Sequence, residues 1–128
     1  MGDSKGFYSD KALELAYEPV RLGGMEDADA VGRFTDGCGD ILEIFLRIES
    51  GKIIDASFLS DGCGASIACG SAAVQLAIGM KTEEAKQIFE KDILGFLGGL
   101  PESDRHPAKL WATTLQDALR NSDCNRET

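Results

Sequence analysis

Between Ile41 and Glu49 the chain alternates apolar and mixed positions. Leu42, Ile44, Leu46 and Ile48 fall on one side, with Ile41, Glu43, Phe45, Arg47 and Glu49 on the other. A period of two is the signature of a strand with one face on a core. Ser50-Gly51 supplies a turn, and Lys52 to Ser60 reads as the strand that returns antiparallel, with Ile54, Ala56 and Phe58 sharing a face. Ahead of this hairpin, Leu22 to Gly37 is rich in glycine and acids and holds no sustained period. Within it, Ala30-Val31-Gly32-Arg33-Phe34 reads either as a first edge strand or as plain loop.

The remaining pattern is helical. Ser9 or Asp10 can cap a short helix in which Leu13 and Tyr17 share a face at i, i+4, and Pro19 ends it. Ala65 to Met80 is almost entirely apolar or small, which predicts a buried helix. Thr82-Glu83-Glu84-Ala85 starts another, with Thr82 as cap and Ala85, Ile88 and Phe89 inward; Asp92 to Leu97 forms a further turn, broken by Gly98-Gly99. His106-Pro107 opens the last helix, proline being favoured where its missing donor costs nothing. Trp111, Leu115 and Ala118 make its stripe, flanked by Leu110, Thr114 and Leu119, and from Asn121 a polar, disordered tail is expected.

This order of elements gives an α+β class: a small antiparallel three-stranded sheet packed against a block of about four to five helices. Residues 1–128 fit one domain, with an ordered core over 7–121 and flexible tails. That length buries a real core without disulfide staples.

Charge narrows the partners. Lys and Arg number 13 against 22 Asp and Glu, a net charge of −9. Nucleic acid and anionic membrane surfaces both reward clustered cations, so neither is an expected partner, while basic proteins are. No apolar run reaches membrane-spanning length and Met1 to Gly6 holds no apolar signal core, so a cytoplasmic, reducing location is expected. In that setting the four cysteines read as metal ligands or reactive thiols rather than disulfides.

Two of them sit in matching surroundings. Asp36-Gly37-Cys38-Gly39-Asp40 and Asp61-Gly62-Cys63-Gly64 share an Asp-Gly-Cys-Gly core, each thiol lying between glycines that let a bulky ligand approach the backbone. Cys63 also precedes a helix start, where the dipole favours thiolate. With Asp40 and the single histidine, His106, these thiols make a donor set of two sulfurs, an oxygen and a nitrogen, suited to tetrahedral zinc or to one side of an iron–sulfur cluster. Plain turn positions for the thiols, a local backbone acceptor for Asp40 and a helix cap for His106 account for the same residues. Cys69 lies about 240° around the helix from Cys63 among apolar neighbours and reads as core packing. Cys124 is a tail thiol. One histidine, no Gly-x-Ser-x-Gly and no phosphate-binding loop argue against common hydrolases and nucleotidases, and the chain is not expected to be an enzyme.

Taken together, Tyr8-Ser9-Asp10-Lys11 with Pro19 and Gly23, Cys38-Gly39-Asp40, Gly62-Cys63-Gly64-Ala65-Ser66-Ile67-Ala68, and Gly99-Leu100-Pro101 through His106 resemble the iron–sulfur cluster assembly scaffold family, of the IscU/NifU N-terminal type. The short interval from Cys63 to His106 sets the chain closer to that type than to the SufU type. The resemblance implies a protein that takes sulfur from a cysteine desulfurase, binds iron, builds a [2Fe-2S] cluster and passes it to recipient apo-proteins. It implies Cys38 and Cys63 as ligands, Asp40 as a tuner of cluster lability and His106 near or on the metal.

The chain also departs from that family. Relatives place a thiol directly after the histidine, where this chain has Pro107; Cys124 substitutes only if the tail folds back. The family's Leu-Pro-Pro-Val-Lys chaperone segment reads Leu100-Pro101-Glu102-Ser103-Asp104 and has lost its basic residue, which weakens the case for that chaperone as a partner. A zinc-binding sulfur-relay or regulatory partner of a desulfurase, holding the metal with the same four groups, is the alternative reading.

Overall fold

A computed structural model describes residues 9–35, 37, 39–62, 64–101 and 105–126, with side chains through 122. Three strands, β1 (Ala30–Thr35), β2 (Ile41–Glu49) and β3 (Lys52–Ser60), form an antiparallel sheet in the order β1-β2-β3. Among the described residues five helices accompany them: α1 (Asp10–Tyr17), α2 (Ala65–Ala77), α3 (Thr82–Ala85), α4 (Glu90–Leu97) and α5 (His106–Arg126). The expected α+β class and three-stranded sheet are therefore present, and the ambiguous Ala30 segment is a strand.

The alternation in β2 does what its period requires. Leu42, Ile44 and Leu46 are fully buried and face Ala56 and Phe58 of β3 in the core, beneath α2 and α5. Register shifts between Arg47 and Ile48: Arg47 pairs with Asp55, but Ile48 pairs with Ile53. This bulge leaves Ile54 as the extra residue. Ile53 turns into the core at 0% exposure and Ile54 turns out at 40%, which corrects the expected face of Ile54, Ala56 and Phe58.

Two glycines set the helix-to-sheet distances. A Cβ on Gly32 would lie 2.3 Å from the Thr114 carbonyl oxygen, so α5 rests directly on the β1 backbone. A Cβ on Gly70 would lie 2.6 Å from the Phe58 ring. The space there is taken by the edge-to-face pair of Phe58 and Trp111, whose centroids are 5.4 Å apart.

Several expected boundaries move. α2 ends at Ala77, three residues before Met80, because the next residues leave the helix to pair with the edge of β3: Gly79 N–H donates to the Ile53 carbonyl and Ile53 N–H to the Met80 carbonyl, both at 2.8 Å. Thr82 is not the cap of α3 but its buried first residue; Lys81 precedes it, its N–H donating to Glu84 Oε1 at 3.0 Å. Phe89 faces outward at 48% exposure while Ala85 and Ile88 are buried. The expected disordered tail is instead helix through Arg126, held by Asn121 Nδ2 donating to the Val31 carbonyl at 2.7 Å and by buried Ser122. Leu13 and Tyr17 share a face of α1 as expected, but it is the outer one; Ala12 and Leu15 pack inward.

Candidate metal site

Cys38 and Cys63 lie outside the described residues, so the site is built from what flanks them. Gly37, Gly39 and Asp40 belong to the connection from β1 to β2, and Asp61, Gly62 and Gly64 to the connection from β3 to α2. Thr35 pairs with Ile41 and Leu42 pairs with Ser60, so both connections leave the same end of the sheet. Neighbouring strands are about 5 Å apart, which keeps the two connections side by side. Asp61 ties them together: its Oδ1 accepts from Ile41 N–H at 2.9 Å. Ser60 Oγ accepts from Gly62 N–H at 2.9 Å and tightens the second turn.

Gly64 precedes α2 with φ of 54° and ψ of −113°, a conformation closed to most side chains. α2 starts without a side-chain cap and with no acid in its first turn. The positive end of a 13-residue helix therefore faces this turn with no acid of its own first turn to offset it.

α5 brings the third component. Asn121 bonds to Val31 and Asp117 Oδ2 accepts from Arg33 N–H at 3.0 Å, so successive turns of α5 read backwards along β1. The N-terminus of α5 accordingly lies at the end of the sheet where β1 runs into Gly37 and Asp40. Trp111 Nε1 donates to Ser66 Oγ at 3.3 Å, which fixes the start of α5 to the start of α2. His106 is the first residue of α5 and is exposed; Asp40 is half-buried. Pro107, half-buried in the same turn, offers no donor atom to a metal.

The structure thus sets the flanks of Cys38 and Cys63, Asp40 and the His106 turn at one end of the molecule. It does not bring Cys124 there. Cys124 lies 18 residues (106 to 124) further along the continuous helix α5, about 27 Å at the helical rise. Cys69 is buried among Ala68, Ala72 and Ala73, as core packing requires. Among the described residues no group of three or more His, Cys, Asp or Glu is arranged to hold a metal ion, so a site at Asp40 and His106 needs the two thiols as well. Ser66, Trp111 and the carboxylate of Asp61 join the three components, a role the sequence pattern does not assign to any of them. Only Asp61 carried a signal, as the repeated residue two before each cysteine.

The sequence profile described as NifU-like N terminal domain matches residues 7–127. The chain is 37% identical over 113 residues to a protein of Archaeoglobus fulgidus named iron-sulfur cluster assembly scaffold protein IscU 1, covering 88% of this chain and 74% of that one. It is 37% identical over 123 residues to the nitrogen fixation protein NifU of Trichormus azollae, covering 89% of this chain but 41% of that protein. The chain therefore spans about two-fifths of the length of that NifU relative. Among solved structures, the N-terminal NifU-like protein of Brucella abortus superposes with a TM-score of 0.74 at 17% identity, over 94% of this chain and 96% of that one. A protein of Fervidobacterium islandicum, described as a cluster assembly scaffold for the SUF system, gives 0.68 at 22% identity over 91% and 99%. These two likenesses are ones of fold.

Proposed function

The chain belongs to the NifU-like N-terminal domain family, and on that premise we propose that it is a scaffold or carrier for iron–sulfur cluster assembly. The observation that supports this most directly is the meeting of three separate chain segments at one end of the sheet: the flanks of Cys38 at Gly37, Gly39 and Asp40, the flanks of Cys63 at Asp61, Gly62 and Gly64, and the His106 turn. The cluster is cargo, not a resident cofactor. In this reading Cys38 and Cys63 hold iron through thiolate sulfur, Asp40 through oxygen and His106 through nitrogen. Two soft donors and two harder ones grip a [2Fe-2S] cluster less firmly than four thiolates, which suits a protein that must release it. Sulfur comes from a cysteine desulfurase, and the assembled cluster goes to recipient apo-proteins.

This chain's own contribution is positional. Asp61 holds the two connections against each other, Gly64 keeps the backbone open beside the second thiol, and the uncapped start of α2 stabilises negative charge on thiolates and sulfides. With Pro107 after His106 and Cys124 far along α5, thiol ligation in this reading falls to Cys38 and Cys63.

The test is anaerobic reconstitution with iron, cysteine and a desulfurase. We expect visible absorption typical of a [2Fe-2S] cluster, lost in Cys63→Ala and Cys38→Ala and longer-lived in Asp40→Ala. Tight zinc at one equivalent, with no chromophore under these conditions, would instead establish the zinc-binding partner of a desulfurase.

A further inference from the structure

The outer face of α1 is built against the usual pattern. Leu13 is 41% exposed and Tyr17 81%, while Asp10, Glu14 and Glu18 recur beside them at i, i+4 and i+8. Leu13, Ala16, Tyr17 and Gly64 line an open apolar cavity of about 420 Å³. A second, of about 380 Å³, lies between Asp10, Leu13, Glu14, Tyr17 and Glu18 on the other side of the same two apolar side chains. Gly64 immediately follows Cys63, so this groove opens beside the candidate site.

Asp10 suits the first turn of α1, but the other two charges do nothing for the helix. Like charges at i, i+4 repel. Glu14 and Glu18 stand toward the negative end of the α1 dipole, where an acid is unfavourable, and the last turn holds no base. None of the three acids forms an ion pair among the described residues. Lys11, the one base of α1, is turned away over the Phe96 ring, 4.0 Å from its centroid. An apolar groove rimmed by uncompensated carboxylates is complementary to one kind of surface: a bulky apolar residue flanked by lysine or arginine. A second copy of this chain, at a net charge of −9, meets the rim with the wrong sign. An anionic lipid surface or a nucleic acid does the same.

We infer that the α1 groove is a docking surface for a basic protein segment that inserts an apolar side chain between Leu13, Ala16, Tyr17 and Gly64. Docking there sets the partner's chain against the 61–64 turn, the position needed to deliver to or take from that turn. The docking stands without the cargo reading; the partner's task rests on it.

The experiment needs no cluster. A fluorescently labelled amphipathic peptide of leucine and lysine is titrated with the metal-free protein at low and high salt, and contacts are mapped by amide chemical shifts. Binding is expected at low salt, with shifts confined to α1 and residues 61–64. Leu13→Ser and the pair Glu14→Lys/Glu18→Lys should each weaken it by about tenfold or more. The control pair Glu26→Lys/Glu49→Lys, equal in net charge and away from the groove, should weaken it by less than about threefold through general attraction alone. All these positions are exposed, and circular dichroism confirms folding of each variant. Equal losses in the two charge pairs, an unchanged Leu13→Ser, or no binding at low salt would overturn the inference. So would concentration-dependent dimerisation of the protein abolished by Leu13→Ser, which would make the groove a contact between copies. Cluster loading of Leu13→Ser without added partner should equal wild type, so a failure of docking is read separately from a failure of the scaffold reading.

Discussion

Ser66 and Trp111 show how one hydrogen bond organises a site that neither residue lines. Trp111 is fully buried, and its ring donor reaches Ser66 Oγ at the first turn of α2. Replacing Ser66 by alanine removes the acceptor and strands a buried N–H, which costs about 1–3 kcal/mol. We expect Ser66→Ala to lower the urea midpoint accordingly and to weaken metal binding as the starts of α2 and α5 drift apart; Ser66→Thr should recover most of both. Gly64 acts through backbone alone. With its positive φ, Gly64→Ala should cost about 1–2 kcal/mol of strain and distort the turn beside Cys63, seen as reduced zinc affinity in a competition titration. At this scale the sequence showed the glycines around each thiol, because a Gly-Cys-Gly pair is visible without coordinates. It did not show Ser66, since a serine at a helix start is ordinary until the residue opposite is known.

The crossing of α5 over β1 depends on a missing side chain. In sequence Gly32 was only one residue of a segment that read as either strand or loop, yet its Cβ would strike the helix backbone itself. Backbone cannot rotate away as a flexible side chain does. Gly32→Ala should therefore destabilise by at least about 1–3 kcal/mol by pushing α5 off the sheet, with a matching fall in melting temperature. Leu13→Ala, on the exposed face of α1, should change stability by less than about 0.5 kcal/mol. The hairpin of β2 and β3 was readable to its ends because alternation along nine residues leaves few other arrangements. The bulge was not, because Ile53 and Ile54 are equally apolar and only the pairing partner distinguishes them. For α1, Leu13 and Tyr17 marked one apolar face, but Ala12 and Leu15 are the residues that α1 buries.

Across the whole molecule, the free edge of β1 is closed by α5. Asp117 accepts from Arg33 N–H and Asn121 donates to the Val31 carbonyl, so backbone groups that would recruit another strand are occupied. Ending the chain after Arg120 removes Asn121 and buried Ser122. We expect that truncation to lose about 1–3 kcal/mol of stability and to raise the proportion of dimer and higher oligomer in light scattering. The same helix settles the fate of Cys124. Read alone, the polar run from Asn121 fits a mobile tail able to return a thiol to the site; as part of α5 it carries that position to the opposite end of the molecule.

By itself the sequence determined the class, the order of the elements, the alternation that builds the sheet, and the two Gly-Cys-Gly segments with their acid and histidine. These are matters of periodicity and local backbone freedom, which act over a few neighbouring residues. Only the tertiary structure decided that the connections at Asp40 and at Asp61 leave the sheet together, that α5 starts beside them and ends far away, and that α1 turns Leu13 and Tyr17 outward. Those are contacts between residues distant in sequence, such as Ile41 with Asp61 and Ser66 with Trp111, set by strand register and helix direction rather than by any local pattern.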